Sequence, residues 1–323
     1  MRILVTGAAG YVGSHFCKLH KDKFEIIGVD NLTRGNISHF QGAELIKLDI
    51  RQADKLTDVL TKNNIDLVVH FAALAYVGES CSEPLNYYDN NVAGTISLLR
   101  AMERASVKRL IFSSSCATYG SPSQFPITEA TDQEPINPYG QSKLLCERII
   151  HDQCKSKKLI ALSLRYFNVI GGDPSLEIGE LHDPETHILP NVIRAAVDPD
   201  FVLDLFGDDY NTPDGTCERD YVDVCDLVEA HGSAATKLID TSGPYCDFIN
   251  IGHGKPVSIL EIIKHVEART QLQVKYRVLP RRPGDAPTLY ADATRARSEL
   301  DWLPRCNIEQ SIENAYNWYL KNI

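Results

Sequence analysis

The stretch Arg2-Ile3-Leu4-Val5-Thr6-Gly7-Ala8-Ala9-Gly10-Tyr11-Val12-Gly13 decides the fold. Its first half is a short apolar run. Its second half places glycine at 7, 10 and 13, and a helical pattern opens at once over 10–21. A strand that turns tightly into a helix leaves the helix N-terminus open, where backbone N–H groups and the dipole favour an anion such as a pyrophosphate. The glycines permit the turn, close backbone approach to the ligand, and close helix–strand packing. The spacing is G-x-x-G-x-x-G, which differs from the G-x-G-x-x-G dinucleotide fingerprint.

Working outward, short β-branched runs recur at 26–29, 44–48, 67–69, 110–112 and 160–166, with helix candidates at 52–63, 84–105 and 138–154 between them. This alternation predicts an α/β fold, a doubly wound parallel sheet over 1–168 with ligands beyond the carboxyl ends of its strands. After Asn168 the pattern changes. Residues 171–187 and 206–219 are rich in Gly, Pro, Asp and Asn, and short helix candidates follow at 189–196, 224–237, 258–270 and 308–321. We read 169–323 as a smaller C-terminal substrate-binding lobe, with one crossing back to the first sheet near 220–250.

The chain has 323 residues, 43% hydrophobic and 24% charged, which excludes disorder, collagen-like fibre and coiled coil. Thirty-three Lys plus Arg against 43 Asp plus Glu give a formal net charge of -10. That balance argues against a nucleic-acid or anionic-membrane partner, yet allows a small anion held by local arginines. No apolar run approaches the roughly 18 residues of a membrane span. The N-terminus enters a strand without a signal-peptide pattern. Nine cysteines, an odd count with no C-x-x-C pair, read as reduced thiols of a cytoplasmic protein, with no metal expected.

Chemistry-bearing residues follow the strand ends. Asp30 closes the second run, where a carboxylate can accept both ribose hydroxyls and repel a 2′-phosphate, favouring NAD. Arg34 nearby keeps NADP open. Asp49 closes the third run, in reach of an adenine amino group, and Phe71-Ala72-Ala73 follows the fourth. Tyr139 and Lys143 share one helix face at i, i+4. A free tyrosine has a pKa of about 10, and a neighbouring ammonium favours its phenolate. Ser113-Ser114-Ser115 ends the fifth run and offers a hydroxyl. Ser, Tyr and Lys after a glycine-rich turn suit proton relay during alcohol oxidation.

With these motifs the chain resembles the extended short-chain dehydrogenase/reductase superfamily, which has the Rossmann fold. Within it, the chain is similar to the UDP-galactose 4-epimerases over essentially its whole length. The more specific stretches are Leu164-Arg165-Tyr166-Phe167-Asn168, Asp214-Gly215-Thr216, Arg219-Asp220-Tyr221 and Arg281-Arg282-Pro283-Gly284-Asp285. The resemblance implies reversible 4-epimerisation of UDP-glucose and UDP-galactose through a transient 4-keto sugar, with NAD bound and not consumed. It implies a UDP-hexose as partner, and a homodimer paired through 84–105 and 138–154. Tyr139 would take the 4-hydroxyl proton, Ser115 would bond the same hydroxyl, and Lys143 would hold the nicotinamide ribose.

The cofactor would lie along Gly7, Gly10, Tyr11, Val12, Gly13, Asp30, Asn31, Asp49, Ile50, Phe71, Ala72 and Ala73, with Asn90 and Phe167 at its nicotinamide half. Asn168 would contact the sugar nucleotide. Arg219 and Arg282 would clamp its diphosphate, Asp285 would hold the uridine ribose, and Phe206 would lie against uracil. Leu289, four residues after Asp285, would help to set the sugar pocket's size. Two positions depart from the pattern. Ala75 stands where many relatives carry Lys. His187 stands where some carry Asn, and reads either as a phosphate contact or as a loop histidine. Another UDP-sugar (N-acetylhexosamine, uronate or pentose) and a non-catalytic NAD-sensing role stay open. A dehydratase is disfavoured, because its acid pair would follow the fifth strand, where Cys116-Ala117-Thr118 stands.

Overall fold

Ile3 and Val5 enter one apolar layer while Leu4 enters another, as period-two alternation requires of a strand covered on both faces. The computed structural model of the chain describes residues 1–282 and 285–322. In chain order the first half runs β1 (Arg2–Thr6), α1 (Tyr11–His20), β2 (Glu25–Asp30), β3 (Glu44–Lys47), α2 (Ala53–Lys62), β4 (Leu67–His70), α3 (Val77–Ser82), α4 (Pro84–Tyr87), a π-helical turn (Tyr88–Ala93), α5 (Gly94–Arg104), β5 (Arg109–Ser115), α6 (Pro138–Lys155) and β6 (Ile160–Tyr166). The second half runs β7 (Asn168–Ile170), α7 (Ile188–Val197), β8 (Leu203–Phe206), β9 (Glu218–Asp223), α8 (Val224–Asp240), β10 (Cys246–Ile251), β11 (Pro256–Ser258), α9 (Ile259–Thr270), β12 (Tyr276–Leu279), β13 (Thr288–Leu289), α10 (Thr294–Leu300) and α11 (Ile308–Asn322).

Seven strands form one sheet in the order β10-β6-β5-β4-β1-β2-β3, and every pairing in it is parallel. One face buries Ile3, Val5, Val69, Ile111 and Leu164 under α1 and α8. The other buries Leu4, Val68, Leu110 and Phe112 under α2, α5 and α6. Helix α8 covers one face and β10 closes the β6 edge. A separate apolar cluster joins α7, α9 and α11 through Val192, Ile262 and Ile312. There β9 centres a small sheet with β7, β11 and β13, and β8 pairs β12.

The helix expected over 84–105 is interrupted. The π-turn swings Asn91 inward, where its side-chain oxygen accepts from Leu74 N at 2.8 Å and its amide donates to Leu74 O at 3.0 Å and Ser142 Oγ at 2.9 Å. The widened turn thus ties the segment after β4 to α6. Helix α5 takes over at Gly94, where a Cβ would stand 2.6 Å from Ile50 Cδ1. A π-turn of this kind is frequent beside functional sites. Among the described residues, no helix is long and apolar enough to cross a membrane.

Candidate active site

The turn after β1 is built for close contact. Gly7 has φ +70°, and a Cβ on it would stand 2.7 Å from Ala72 N. A Cβ on Gly13 would meet Gly7 O at 2.1 Å. Helix α1 starts at Gly10 with no side-chain cap and no acid in its first turn among the described residues. Its leading N–H groups are thus left for an anion, and the turn fits a dinucleotide pyrophosphate. Asp30 is fixed at the end of β2, its two oxygens accepting from Ala9 N at 3.0 Å and Leu32 N at 2.7 Å. Arg34 is turned away to Glu79 at 2.5 Å and lies 4.3 Å over the Tyr76 ring, which weakens the case for a 2′-phosphate. Asn31 donates to Asp49 at 3.4 Å. The Asp49 carboxylate is lowered to about 2, chiefly by hydrogen bonds from the Arg51 side chain. Ile50 packs under Gly94, and Phe71 packs on Phe16 and His231. Asn90 donates to Asn91 Oδ1 at 2.9 Å. Tyr11 binds the Gly171 carbonyl at 2.8 Å, so the turn is tied to the loop beyond β7.

Helix α6 delivers Tyr139. Asn137 caps it, accepting from Gly140 N at 2.8 Å, and Pro138 occupies the first turn, where a missing N–H costs nothing. Gly140 lies so near the turn after β5 that a Cβ would meet Ala117 O at 2.3 Å. That approach brings Tyr139 beside Ser115. The three serines divide: Ser113 Oγ bonds His231 Nε2 at 3.1 Å, and Ser114 Oγ donates to Glu147 at 2.6 Å. Only Ser115 is left to face Tyr139. Glu147 is held beneath by Arg165 through two bonds of 2.9 and 2.7 Å, an ion pair whose side chains are 2% and 3% exposed.

The expected tuning of Tyr139 by Lys143 is not seen in this geometry. Lys143 Nζ donates to the Ser113 carbonyl at 2.8 Å and lies 5.9 Å from the Tyr139 ring centre. Burial dominates at Tyr139 and pushes its phenol well up, Tyr166 adds to this, and the Ser115 hydroxyl opposes it. Burial also lowers the Lys143 ammonium to about 8. The reason is electrostatic: Tyr139 and Lys143 share a helix face, but the ammonium is drawn to a strand carbonyl.

On the nucleotide-sugar side the structure makes two groupings. Arg219 Nη2 stands 3.5 Å from Asp285 Oδ1. Leu289 pairs with Arg219 in register and packs against the cluster of Cys116, Tyr119, Ile127, Phe167 and Ala291. Separately, the Arg282 guanidinium lies 4.3 Å over the Phe206 ring. Asn168 heads β7, opposite Tyr221. Pro283 and Gly284 of the Arg281–Asp285 motif lie outside the described residues. His187 is placed elsewhere, with its Nδ1 toward Glu180 and Glu185 and its ring 5.8 Å from Tyr76. Asn91, Gly140 and the Arg165–Glu147 pair were missed in the sequence. The doublet Asn90-Asn91 inside a helical pattern was the one available signal.

The family described as GDP-mannose 4,6 dehydratase matches residues 4–315. The chain is 43% identical to a UDP-glucose 4-epimerase of Lactobacillus helveticus over 322 residues, covering 99% of this chain and 97% of that protein. It is 42% identical to UDP-arabinose 4-epimerase 1 of Arabidopsis thaliana over 335 residues, covering 98% and 78% respectively. It is also similar to the crystal structure of a UDP-glucose 4-epimerase from Brucella ovis in complex with NAD, with TM-score 0.94, 41% identity, and 98% of each chain covered.

Proposed function

The chain belongs to the UDP-glucose 4-epimerase family as an NAD-dependent 4-epimerase of UDP-sugars, and on that premise we propose that its substrates are UDP-glucose and UDP-galactose. The observation that carries the reading is Tyr139 beside Ser115 at the carboxyl end of β5, one helical turn from Lys143 and on the same sheet edge as the open glycine turn.

We assign the cofactor to the turn at Gly7, Gly10 and Gly13, with Asp30 on the adenosine ribose and Asn90, Phe167 and Lys143 toward the nicotinamide. NAD held there would supply the hydride acceptor and donor for the sugar C4, so that the hydrogen can return to the opposite face of the ring. Tyr139 takes the 4-hydroxyl proton and later gives it back. Ser115 holds that oxygen in reach of the phenol. Tyr139 needs a nearby cation to ionise at neutral pH, because burial alone keeps it protonated. Lys143, released from the Ser113 carbonyl, is the chain's own candidate. Arg219 and Arg282 grip the diphosphate while the 4-keto sugar turns over, Asn168 and Asp285 orient the nucleotide, and Phe206 supports the base. Residues 1–168, with a return crossing near 220–250, form the cofactor portion and the rest of 169–323 the sugar-nucleotide portion in this reading.

The family description names a dehydratase, but Cys116-Ala117-Thr118 follows β5, where a dehydratase would carry its acid pair. Elimination of water needs such an acid. A pentose is the second reading, favoured by the similarity to the Arabidopsis thaliana protein. The test is turnover of purified, NAD-loaded protein on UDP-galactose, UDP-glucose and UDP-arabinose, with bound NAD quantified before and after. Preferred turnover of the pentose would move the assignment to the second reading. Stoichiometric NAD consumption would overturn both.

A further inference from the structure

We propose that Glu180, His182, Glu185 and His187 form a binding site for one divalent transition-metal ion of the zinc class. The four residues follow the spacing E-x-H-x-x-E-x-H in a segment without helix or strand, and one ligand atom from each lies within 4.8 Å of all the others. A tetrahedral ion with bonds of about 2.0–2.1 Å sets its ligand atoms about 3.4 Å apart. His182 Nδ1 stands 3.2 Å from Glu180 Oε1 and 3.6 Å from Glu185 Oε2. The separation of His187 Nδ1 from Glu180 Oε1 is shorter, at 2.5 Å.

These contacts are at ion-pair distance but do not meet the donor geometry of a hydrogen bond. Glu180 Oε1, His182 Nδ1 and His187 Nδ1 are all buried and have no bonding partner among the described residues. At such distances a bond needs the N–H to point at the oxygen. The Glu180 side chain is only 7% exposed, so its unpartnered oxygen cannot turn to solvent. Surrounding bonds hold the set in place. Glu185 Oε1 accepts from Thr186 N and His187 N at 2.7 Å each, leaving Oε2 free, and Trp318 Nε1 donates to the Glu180 carbonyl at 3.0 Å. Such outer bonds are what orient metal ligands. Two neutral imidazoles and two carboxylates balance a divalent charge, and the nitrogen donors select zinc-class ions over calcium or magnesium.

The site lies against the cofactor cradle. The His182 ring meets Tyr11 of the glycine turn edge-on at 6.2 Å and Tyr76 at 5.6 Å. A bound ion pins the 180–187 segment beside that turn and serves as a staple, with no part in the proton transfer.

The experiment uses untagged, NAD-loaded protein, dialysed metal-free and then titrated with Zn²⁺. Inductively coupled plasma mass spectrometry should give about one tightly held ion per chain. Melting temperature should rise with zinc and fall with a chelator, as binding to the folded state alone requires. His182→Ala and Glu180→Gln should abolish both effects. If either variant fails to fold, the X-ray absorption spectrum of zinc-loaded wild type decides, because imidazole scattering must be present. A wild type that takes up no zinc and melts unchanged would overturn the site and leave an ion pair of protonated histidines. Equal uptake by folded His182→Ala, or a zinc spectrum without imidazole, would also overturn it.

Discussion

Gly10 and Gly13 lie three residues apart in one turn, and the structure gives them separable tasks. A Cβ added at Gly13 would stand 2.1 Å from Gly7 O and 2.9 Å from Gly7 C, both backbone atoms. Relief requires the turn to move by roughly 1 Å, an overpacking that costs about 1–3 kcal/mol. A Cβ at Gly10 meets Gly7 O at 3.4 Å, an ordinary contact, and φ -80°, ψ 174° suits any residue. Gly13→Ala should therefore lower the melting temperature of NAD-free protein by several degrees, at about 2–4 °C per kcal/mol for large domains. Gly10→Ala should leave it unchanged. Both should weaken NAD: Gly13→Ala by shifting the donors, Gly10→Ala by placing a methyl where the pyrophosphate approaches. Losing one charge-assisted bond of about 1.5–3 kcal/mol corresponds to roughly 10- to 150-fold. Calorimetry on stripped protein, with and without NAD, reads both quantities. If Gly10→Ala destabilised the NAD-free protein as much as Gly13→Ala, or bound NAD like wild type, the division of labour would be wrong.

Four further outcomes are expected. Tyr139→Phe should lower turnover by roughly two to four orders of magnitude while UDP binding persists; a matching loss of UDP affinity would make Tyr139 structural. Burial holds Lys143 at about 8 in the folded chain against 10.5 as its ordinary value. Between those values the unfolded chain binds the extra proton, so stability rises with pH there, and below that window the full cost of burying the charge is felt. Denaturation of NAD-free wild type and Lys143→Met should accordingly show the difference moving in favour of wild type from pH 8 to 10.5, and a flat difference would discard this account. At Leu289, Tyr should narrow and Ala should widen acceptance of 2-acetamido sugars relative to hexoses; equal ratios in wild type and both variants would remove it as the gate. We also propose that two copies pair through α4–α5 and α6, which sedimentation at micromolar concentration should register as twice the chain mass, against a monomer if the proposal fails.

The parallel sheet was legible because its strands are buried on both faces, which forces short β-branched runs, and because each helix between them carries its own amphipathic period. The glycine turn, Asp30, and the Tyr139–Lys143 pair followed from spacing alone. What spacing could not show was the direction of a side chain. Lys143 shares a face with Tyr139, yet a strand carbonyl takes its ammonium. The interruption at 88–93 was hidden because a single six-residue π turn is too short to show its own period inside a helical pattern, and the cross-links made by Asn91 reveal it. The two-residue strand β13 is too short for any alternation to register. His187 was read by itself, as a phosphate contact or a loop histidine, and no metal was expected. Its three partners come within reach only when an irregular segment folds back, and irregular segments carry no period.

The return strand β10 imposes an order on synthesis. The β6 edge is complete once Tyr166 is made, but its neighbour ends at Ile251, about 85 residues later. At about 5–20 residues per second, a ribosome needs roughly 4–17 s to supply it. Throughout that interval the β6 flank of a six-stranded parallel sheet stands unpaired, and the face that α8 will cover is bare. Such an edge readily accepts a strand from another nascent chain. Residues 1–168 expressed alone would hold that exposed condition permanently, so a fragment cut there should aggregate, whereas the full chain should not.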